Sequence, residues 1–337
     1  MITNGLCFDD VLLIPRYSEI KSRADVSTIV KLCKGFSFSS PVVPSNMRTI
    51  TGLEMAYQIY AQEGLGIVHR FMPITDQLRI ARELSHALKF IGFSVGVKED
   101  DYECVDRFVG AGVQILCVDV AHGHSLMCGE IVKYIASKYP DVLLIAGNVA
   151  TGDGAGFLWR AGADIVKAGI GNGSICTTRI ATGNGVPLLS TLMEIKSEKG
   201  FFEKELDRSL YIMADGGAKN SGDLVKGLCF ADMVMSGNLF AGCEETPGDT
   251  IELGGKLYKK YEGSSTHKTN HIEGVKSVMP LRPKVGEVMG TLLEGIRSGC
   301  SYQSVDSVKK LQDNPKFVRQ TGLGFRESGA HDVQVID

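Results

Sequence analysis

The sequence has little of what membrane-spanning, disulfide-rich and nucleic-acid-binding proteins need. The formal net charge is only −3, and without a basic excess nucleic acid is not an expected partner. The longest apolar runs, such as 142–147, are far shorter than the roughly 20 residues that cross a bilayer, so no membrane partner is expected. The nine cysteines lack CxxC spacing, and the N-terminus has no basic and apolar signal region. These absences argue against a disulfide framework, a zinc site and secretion, and we expect a cytoplasmic protein.

Glycine, by contrast, is abundant at 40 residues, and one glycine-rich stretch is the most informative part of the chain. Residues 169–187 read GIGNGSICTTRIATGNGVP. Three alternate glycines let the backbone approach a bound group closely, because a glycine has no Cβ. They lead to Cys176, with hydroxyl groups on either side at Ser174 and Thr178. This pattern is typical of an enzyme that holds its substrate covalently, and the alternative is a loop with an incidental cysteine.

Eight short apolar runs rich in β-branched residues predict β-strands. They are 41–47, 66–71, 94–97, 115–120, 142–149, 165–170, 210–215 and 233–237. Helical periodicity separates most of them, for example over 74–88 and 129–138. Nearly continuous apolar strands covered by helices indicate a parallel sheet that is buried on both faces. We therefore predict an α/β fold, a (β/α)8 TIM barrel. A Rossmann-like sheet is the alternative, weakened because no G-x-G-x-x-G opens a helix after the first strand.

Polar residues and glycines follow the carboxyl ends of most predicted strands, which is where barrel enzymes place their active sites. In chain order they are Asn46, Met47, His69, Arg70, Asp119, Asn148, the Cys176 loop, Asp215, Gly216, Gly217, Gly237 and Asn238. Glycines after strands 7 and 8 match the usual phosphate-binding corner of such barrels. Asp215 would suit a ribose diol beside an anion cradle built from Ser174, Gly216, Gly217, Gly237 and Asn238. The predicted substrate class is therefore a nucleoside monophosphate.

Two further features of this rim leave alternatives open. Asp119, His122 and His124 invite a metal site, but contact of Asp119 with a ligand hydroxyl is the preferred interpretation. Helical spacing after strand 8 resumes only near residue 284, so we predict a lid over the barrel mouth at about 250–283. The lid begins with a hairpin over 251–261 that turns at Gly254 and Gly255. Glu273 within it is either an acid–base partner brought in by loop closure or a solvated loop acid.

Several motifs along the chain resemble the IMP dehydrogenase/GMP reductase family. Besides the Cys176 loop they are FDDVLLIP (8–15), DVAHGHS (119–125), AGNV (146–149), ADGG (214–217) and RESGAHDV (326–333). The resemblance spans essentially the whole chain. It implies a (β/α)8 barrel, usually a tetramer, in which the thiol attacks C2 of a purine nucleotide. A nicotinamide cofactor then exchanges a hydride with that carbon.

The resemblance also implies roles for individual residues. Catalysis falls to Cys176, Thr178 and Glu273. Nucleotide binding falls to Met47, Ser174, Asp215, Gly216, Gly217, Gly237 and Asn238, and cofactor binding to Arg70, Asp119 and Asn148. A monovalent cation such as K+ would bind backbone carbonyls of Gly171, Gly173 and Cys176, together with Glu327, Ser328 and Gly329 from a neighbouring subunit. The composition of the tail 317–337 by itself favours disorder, and this implied role replaces that expectation.

The two branches of the family share the covalent intermediate and differ in direction. GMP reductases expel ammonia from GMP and take a hydride from NADPH to give IMP, whereas IMP dehydrogenases reduce NAD and hydrolyse the adduct to XMP. Dehydrogenases normally carry CBS domains after strand 2, but here HRFMPITDQ leads directly into a helix. They also need a flap with an Arg-Tyr pair, and 262–275 is too short and has neither residue. The sequences of residues 44–50 and 261–274 are closer to those of bacterial GMP reductases.

We therefore expect a GMP reductase of purine nucleotide salvage, dependent on NADPH, with GMP as substrate and IMP as product. The expected form is a homotetramer of single-barrel chains over 1–337 without a CBS insertion. An IMP dehydrogenase lacking CBS domains is the alternative, because the tail RESGAHDV is closer to the C-terminal sequence of the dehydrogenases. A non-catalytic nucleotide-binding barrel and a flavin-dependent barrel are less favoured. Departures from the family pattern occur at Asn172, Leu188, Ala218, Lys219 and Asn238, which are usually Pro, Gln, Ile, Arg and Ser.

Overall fold

The computed structural model describes residues 4–87, 90–263 and 274–333, and a parallel sheet of eight strands forms its centre. The strands are β1 (Val42–Pro44), β2 (Ile67–Val68), β3 (Gly92–Val95), β4 (Ile115–Asp119), β5 (Leu143–Val149), β6 (Ile165–Ala168), β7 (Tyr211–Asp215) and β8 (Met233–Ser236). Seven of them lie within the apolar runs that predicted them, and β3 begins two residues before its run. Continuous apolar sequence was a sufficient signal because both faces of this sheet are buried.

One helix follows each strand and packs on the outside of the sheet. The helices are α1 (Leu53–Ala61), α2 (Ile74–Ala87), α3 (Glu99–Gly110), α4 (Leu126–Lys138), α5 (Gly152–Ala161), α6 (Leu188–Leu206), α7 (Ser221–Leu228) and α8 (Val285–Tyr302). Local side chains fix several of their ends. Thr151 accepts a hydrogen bond from Gly154 N at the start of α5, and Gly162 ends that helix with φ +116°. No helix in the part of the chain described here is long and apolar enough to cross a bilayer.

The order of the strands shows how the sheet curls into a barrel. Hydrogen-bonded neighbours run β1-β8-β7-β6-β5-β4-β3-β2, so strands that are consecutive in the chain are also neighbours in space. The remaining seam lies between β1 and β2, where His69 N donates to Thr51 O across 3.3 Å. A Rossmann-like sheet would instead reverse its strand order at a switch point. The (β/α)8 barrel is confirmed, and its carboxyl-end rim is where the polar residues gather.

A three-stranded antiparallel sheet stands between β8 and α8. Its strands are Ile251–Leu253, Lys256–Glu262 and Lys276–Pro280. The predicted hairpin is confirmed, with Gly254 and Gly255 at φ +58° and +76° in the turn. The third strand was missed, because its alternating exposed side chains give no apolar run. This sheet carries both ends of the segment predicted to be a lid.

The termini of the described chain pair with each other. Strands Val11–Leu13 and Phe317–Arg319 are antiparallel, and Phe317 stacks on Phe230 with ring centroids 5.6 Å apart. Disorder, favoured by the composition of the tail, is therefore wrong for this part, because contacts far apart in sequence hold it. The remaining short elements are the strands Val30–Lys31 and Ser37–Phe38, the helices Thr178–Thr182 and Gly322–Phe325, and 3-10 turns at Phe8–Asp10, Arg23–Asp25, Cys33–Gly35, Val308–Gln312 and Arg326–Ser328.

An aromatic pair between β3 and α3 gives a test of the core. Phe93 and Phe108 are both fully buried, with ring centroids 4.9 Å apart. We expect Phe93→Ala to lower the free energy of unfolding by about 3–5 kcal/mol, because the cavity left between the sheet and α3 collapses only in part. Urea unfolding followed by circular dichroism measures it. Phe201→Ala, whose ring is 63% exposed, is the matched control. Equal losses for the two variants would contradict this packing.

Candidate active site at the barrel mouth

A cavity of about 230 Å³, partly open to solvent, lies at the carboxyl ends of the barrel strands. Parallel strands in a barrel all end at one rim, so residues from distant parts of the sequence meet there. Eleven of the residues to which the resemblance gives a role line this cavity: Met47, Arg70, Asp119, Asn148, Gly171, Gly173, Cys176, Thr178, Asp215, Gly216 and Gly237. The geometry thus brings most of the candidate residues to one place.

The glycine-rich loop after β6 presents the thiol to this cavity. Cys176 is half-buried, and its Sγ lies 3.2 Å from Thr178 Oγ1. The loop is tight, since Cys176 N donates to Gly173 O at 3.1 Å. On its outer side Arg179 donates to Asn172 Oδ1 at 2.7 Å and to Val186 O at 3.3 Å. The loop therefore holds a thiol and a hydroxyl side by side, facing the empty space.

A buried lysine joins two carboxylates in the wall of the cavity. Lys167, on β6, has a side chain only 4% exposed, and its Nζ lies 2.7 Å from Asp119 Oδ1 and 2.8 Å from Asp215 Oδ2. Burial by itself lowers the pKa of Lys167, but the two carboxylates outweigh it and raise that pKa above its usual value. Burial likewise raises the pKa of Asp119, and the nearby Lys167 ammonium more than reverses this. Lys167 and Asp119 are therefore both charged at neutral pH.

Two glycines after β7, Gly216 and Gly217, and one after β8, Gly237, form a corner at the mouth of the cavity, which we call the glycine corner. Gly216 and Gly217 have φ +86° and +73°, a conformation that side chains rarely adopt. A Cβ on Gly237 would lie 2.8 Å from Tyr261 Oη and 3.1 Å from Met47 Sδ. Glycine is therefore required at these positions by conformation or by space. Gly216 N donates to Met235 O at 3.0 Å, so the backbone amides of this corner that suit an anionic group are those of Gly217 and Gly237.

Polar side chains close the edge of the same corner. Asn238 Nδ2 donates to Ser174 Oγ at 3.0 Å, and Ser174 is also hydrogen-bonded to the buried Tyr261. Arg282 donates to the carbonyls of Asn238 and Leu239 at 2.6 and 2.8 Å. Burial raises the pKa of Tyr261 to about 12, so its hydroxyl stays protonated. Ser174 and Asn238 thus stand beside the glycine corner as a hydrogen-bonded pair.

The part of the cavity lining that follows β2 carries a cation and an aromatic ring. Arg70 Nε donates to Asp119 O at 3.2 Å, and its guanidinium carbon lies 4.6 Å from the centroid of the Phe71 ring. Asn148 Nδ2 donates to Gly169 O at 2.6 Å and to Asp215 Oδ2 at 2.8 Å. The cavity lining therefore offers a flat ring, a positive charge and hydrogen-bonding groups.

Some candidate residues lie elsewhere. Glu273 falls outside the described residues. Glu327, Ser328 and Gly329 are exposed near the C-terminus and do not line the cavity of their own chain. Within the described ranges, no three His, Cys, Asp or Glu side chains are grouped as a metal site would require. The His122 and His124 rings, 6.4 Å apart between centroids, do not change this.

Sequence reasoning missed Phe71, Lys167 and Tyr261, which all line the cavity. Lys167 sits in the run IVKA of a strand with every residue buried, and a charged residue there was the available signal. A buried lysine needs a partner, and the nearest strand-end carboxylates are its natural candidates. Tyr261 was assigned only to the hairpin. Of the family departures, Leu188 and Ala218 are buried beneath the glycine corner, and Lys219 pairs with Asp9 outside the cavity.

His69, at the end of β2, gives a pH test of this region. Burial, assisted by the nearby Arg48, lowers the pKa of His69 to about 4, and its Nδ1 accepts from Phe71 N at 3.1 Å. An unfolded histidine has a pKa near 6.5, so below that pH the unfolded chain binds a proton that the folded chain rejects. Stability therefore falls as pH drops from 6.5 towards 4, by roughly 3 kcal/mol from this group.

Comparing wild type with His69→Asn isolates that contribution, because asparagine can still accept the Phe71 hydrogen bond. Urea unfolding at pH 7, 6, 5 and 4.5 measures both proteins. We expect wild type to lose more stability than the variant below pH 6.5, and equal slopes would contradict a buried neutral His69.

Comparison with known proteins identifies the family. The model of the IMP dehydrogenase/GMP reductase domain matches residues 5–331. The GMP reductase of Acidovorax ebreus is 34% identical over 336 residues, covering 96% of this chain and 98% of that protein. The GMP reductase of Shouchella clausii is 37% identical over 323 residues, covering 92% and 95%. The inosine-5′-monophosphate dehydrogenase of Aquifex aeolicus is 31% identical over 481 residues, covering 99% and 96%.

A solved structure agrees. A GMP reductase variant from Trypanosoma brucei, in complex with guanosine 5′-monophosphate, superposes with a TM-score of 0.92 at 28% identity, covering 99% of each chain. Fold, family model and relatives concur along nearly the whole length. The chain belongs to the IMP dehydrogenase/GMP reductase family of nicotinamide-dependent oxidoreductases.

Proposed function

We propose that this chain is an NADPH-dependent GMP reductase, which converts GMP to IMP and ammonia in purine nucleotide salvage. The observation that carries the proposal is the Cys176–Thr178 pair, presented to a cavity that also holds Asp215 and the glycine corner. Relatives named GMP reductase align over 336 and 323 positions, close to the 337 of this chain, whereas the Aquifex dehydrogenase aligns over 481. β2 ends at Val68 and α2 begins at Ile74, and this direct connection agrees with the shorter length of the reductases.

The nucleotide would lie between Cys176 and the glycine corner. Asp215 accepts hydrogen bonds from the ribose diol, and its charge strengthens them. The phosphate lies against Gly216, Gly217 and Gly237. The amides of Gly217 and Gly237 donate to it, because the Gly216 amide is already bonded to Met235 O. Ser174 and Asn238 complete the cradle by donating hydroxyl and amide hydrogens, and Met47 packs on the base. With this placement the purine C2 faces the thiol.

The first chemical step replaces an amine by sulfur. The Cys176 thiolate attacks C2 of GMP, and a C2–S bond forms as an electron pair moves onto the purine ring. The exocyclic nitrogen then takes a proton and leaves as ammonia, with both electrons of its bond to C2. Thr178, 3.2 Å from Sγ, is placed to relay that proton, and Glu273 is its proposed source.

The second step releases IMP. The cofactor, held by Arg70, Asp119 and Asn148, would supply a hydride for C2, and Cys176 would leave C2 as the thiolate with the electron pair of the C2–S bond. The residues proposed to hold the cofactor fit a dinucleotide: Phe71 offers a flat ring, Arg70 a charge for its phosphates, and Asp119 and Asn148 polar groups near the nicotinamide. The overall balance is GMP, NADPH and two protons giving IMP, NADP+ and ammonium.

A monovalent cation, K+ by proposal, fits the cysteine loop only in part. Gly171, Gly173 and Cys176 have backbone carbonyls in the tight loop, the hard oxygen donors such an ion prefers. The other donors, Glu327, Ser328 and Gly329, are exposed, which suits contribution to a neighbouring copy in a homotetramer. Within this arrangement the ion would stabilise the loop conformation that presents the thiol.

An IMP dehydrogenase is the second candidate. It is favoured by the 31% identity with the Aquifex enzyme over nearly the full chain and by the tail sequence RESGAHDV. It would need a base to activate water after the hydride leaves. The lid sequence 262–275 lacks the Arg and Tyr that the resemblance requires for this, which is why the reductase is preferred.

Replacing the thiol tests the covalent step. We expect Cys176→Ala to abolish turnover, by about 1,000-fold or more for loss of an essential nucleophile. Nucleotide affinity stays near wild type, because ribose and phosphate contacts lie elsewhere. Steady-state absorbance and calorimetric binding of GMP measure the two effects. Cys7→Ala, which removes an exposed thiol outside the cavity, is the matched control, and residual activity of Cys176→Ala within tenfold would contradict the proposal.

The choice of branch is tested with two substrate pairs and one variant. Wild type should consume NADPH with GMP faster than it produces NADH from IMP and NAD. Glu273→Gln should slow ammonia release from GMP, a step that precedes hydride transfer, while the exposed Glu252→Gln leaves it unchanged. Coupled detection of ammonium separates this step from NADPH oxidation. Faster formation of XMP from IMP and NAD would replace the reductase assignment by the dehydrogenase.

A further inference from the structure

We propose that Lys167 is a positioning residue, whose single ammonium group keeps Asp215 and Asp119 both charged and in place. Through Asp215 it would support binding of the nucleotide ribose, and through Asp119 binding of the cofactor. The inference deepens the proposed function and rests on it for the identity of these two ligands. Lys167 itself would touch neither of them.

Geometry is the first support for this inference. Lys167 Nζ contacts one oxygen of each carboxylate, at 2.7 Å from Asp119 Oδ1 and 2.8 Å from Asp215 Oδ2. The two acids come from β4 and β7, strands that are not neighbours in the sheet. The side chain of Lys167 therefore links parts of the rim that no backbone hydrogen bond joins.

Space for this lysine is built into the neighbouring strand. Gly147 of β5 is the register partner of Lys167, and a Cβ on Gly147 would lie 2.5 Å from Lys167 O and 2.6 Å from Lys167 Cβ. Any side chain at residue 147 would therefore displace Lys167. The lysine is 4% exposed, so its charge is not stabilised by water but by the two acids.

Charge balance explains why both acids depend on one cation. Without Lys167, the two carboxylates that now bind the same ammonium group would face each other in a mostly buried wall. Two like charges that share a buried site raise the pKa of one of them. The pair would then share a proton near neutral pH. A protonated Asp215 accepts weaker hydrogen bonds than an ionised one, so nucleotide binding would weaken.

Other groups around the cluster do not replace the lysine. Arg70 acts on Asp119 at longer range, and Asn148 donates a neutral hydrogen bond to Asp215. The remaining titratable neighbours are Cys117, Cys128 and Tyr261. Burial raises the pKa of Cys117 far above its usual value, and that of Cys128 and Tyr261 to about 12. None of these three ionises between pH 6.5 and 9.

A charge-restoring pair of variants tests the inference. Lys167→Met should weaken IMP binding by about tenfold or more, the loss expected for a hydrogen bond to a charged acceptor. Adding Asp119→Asn removes the competing carboxylate and returns the net charge of the cluster to its original value. The double variant should therefore bind IMP within about threefold of Asp119→Asn alone, because Asp215 is ionised again. Isothermal titration with IMP measures all four proteins.

The pH profile gives a readout that mere packing would not move. In Lys167→Met a shared proton leaves as pH rises, so IMP affinity relative to wild type should recover between pH 6.5 and 9. For the double variant that ratio should stay flat. Lys199→Met is the matched control, since it removes a buried lysine paired with Glu203 on the outer helix α6. It should lower the melting temperature and leave IMP affinity unchanged.

Unchanged IMP affinity in Lys167→Met overturns the inference, as does a loss that Asp119→Asn does not restore. If Lys167→Met fails to fold, the comparison of the double variant with Asp119→Asn still decides, because tenfold weaker binding by the double variant contradicts a charge role. IMP is the product of a GMP reductase and the substrate of an IMP dehydrogenase. A wild-type protein with dehydrogenase activity would therefore overturn the proposed function while leaving this test intact.

Discussion

One buried ammonium group, that of Lys167, lies between two carboxylates at the mouth of the barrel, and the site depends on this charge cluster. The ion pairs hold Asp119 and Asp215 at fixed positions although the two residues come from strands that are not neighbours. A closed barrel makes such a cluster possible because its strand ends converge on one rim. Removing any member of the cluster is costly, since breaking a buried ion pair leaves an unpaired charge in the interior.

Around this cluster, glycines leave space that other residues would fill with side chains. Gly147 leaves room for Lys167, Gly237 leaves room for Met47 and Tyr261, and Gly216 takes a backbone conformation that few other residues tolerate. The same lack of side chains exposes backbone amides to a bound anion. In the proposed binding mode, charged groups would fix the ribose and uncharged backbone would fix the phosphate. Cys176 would face the purine, at the opposite end of the nucleotide from the glycine corner.

The barrel was predictable from the sequence, and so was the location of the site. Buried parallel strands produce continuous apolar runs, and the polar residues that follow them must meet at one rim. The strand Lys276–Pro280 was not predictable, because an exposed edge strand alternates without an apolar run. Nor was the pairing of Phe317–Arg319 with Val11–Leu13, which depends on contacts between the two ends of the chain. The ion pairs of Lys167 were missed for the same reason, since strand periodicity does not say which distant acids a buried lysine meets.

The account depends most directly on covalent attachment of the purine to Cys176 with loss of ammonia. Intact-mass spectrometry tests this after the wild-type protein is mixed with GMP and an NADPH analogue that cannot transfer a hydride, then quenched with acid. We expect a protein species heavier by GMP minus ammonia, and peptide mapping should place the added mass on Cys176. Unmodified protein, or the added mass on another of the nine cysteines, would contradict the account.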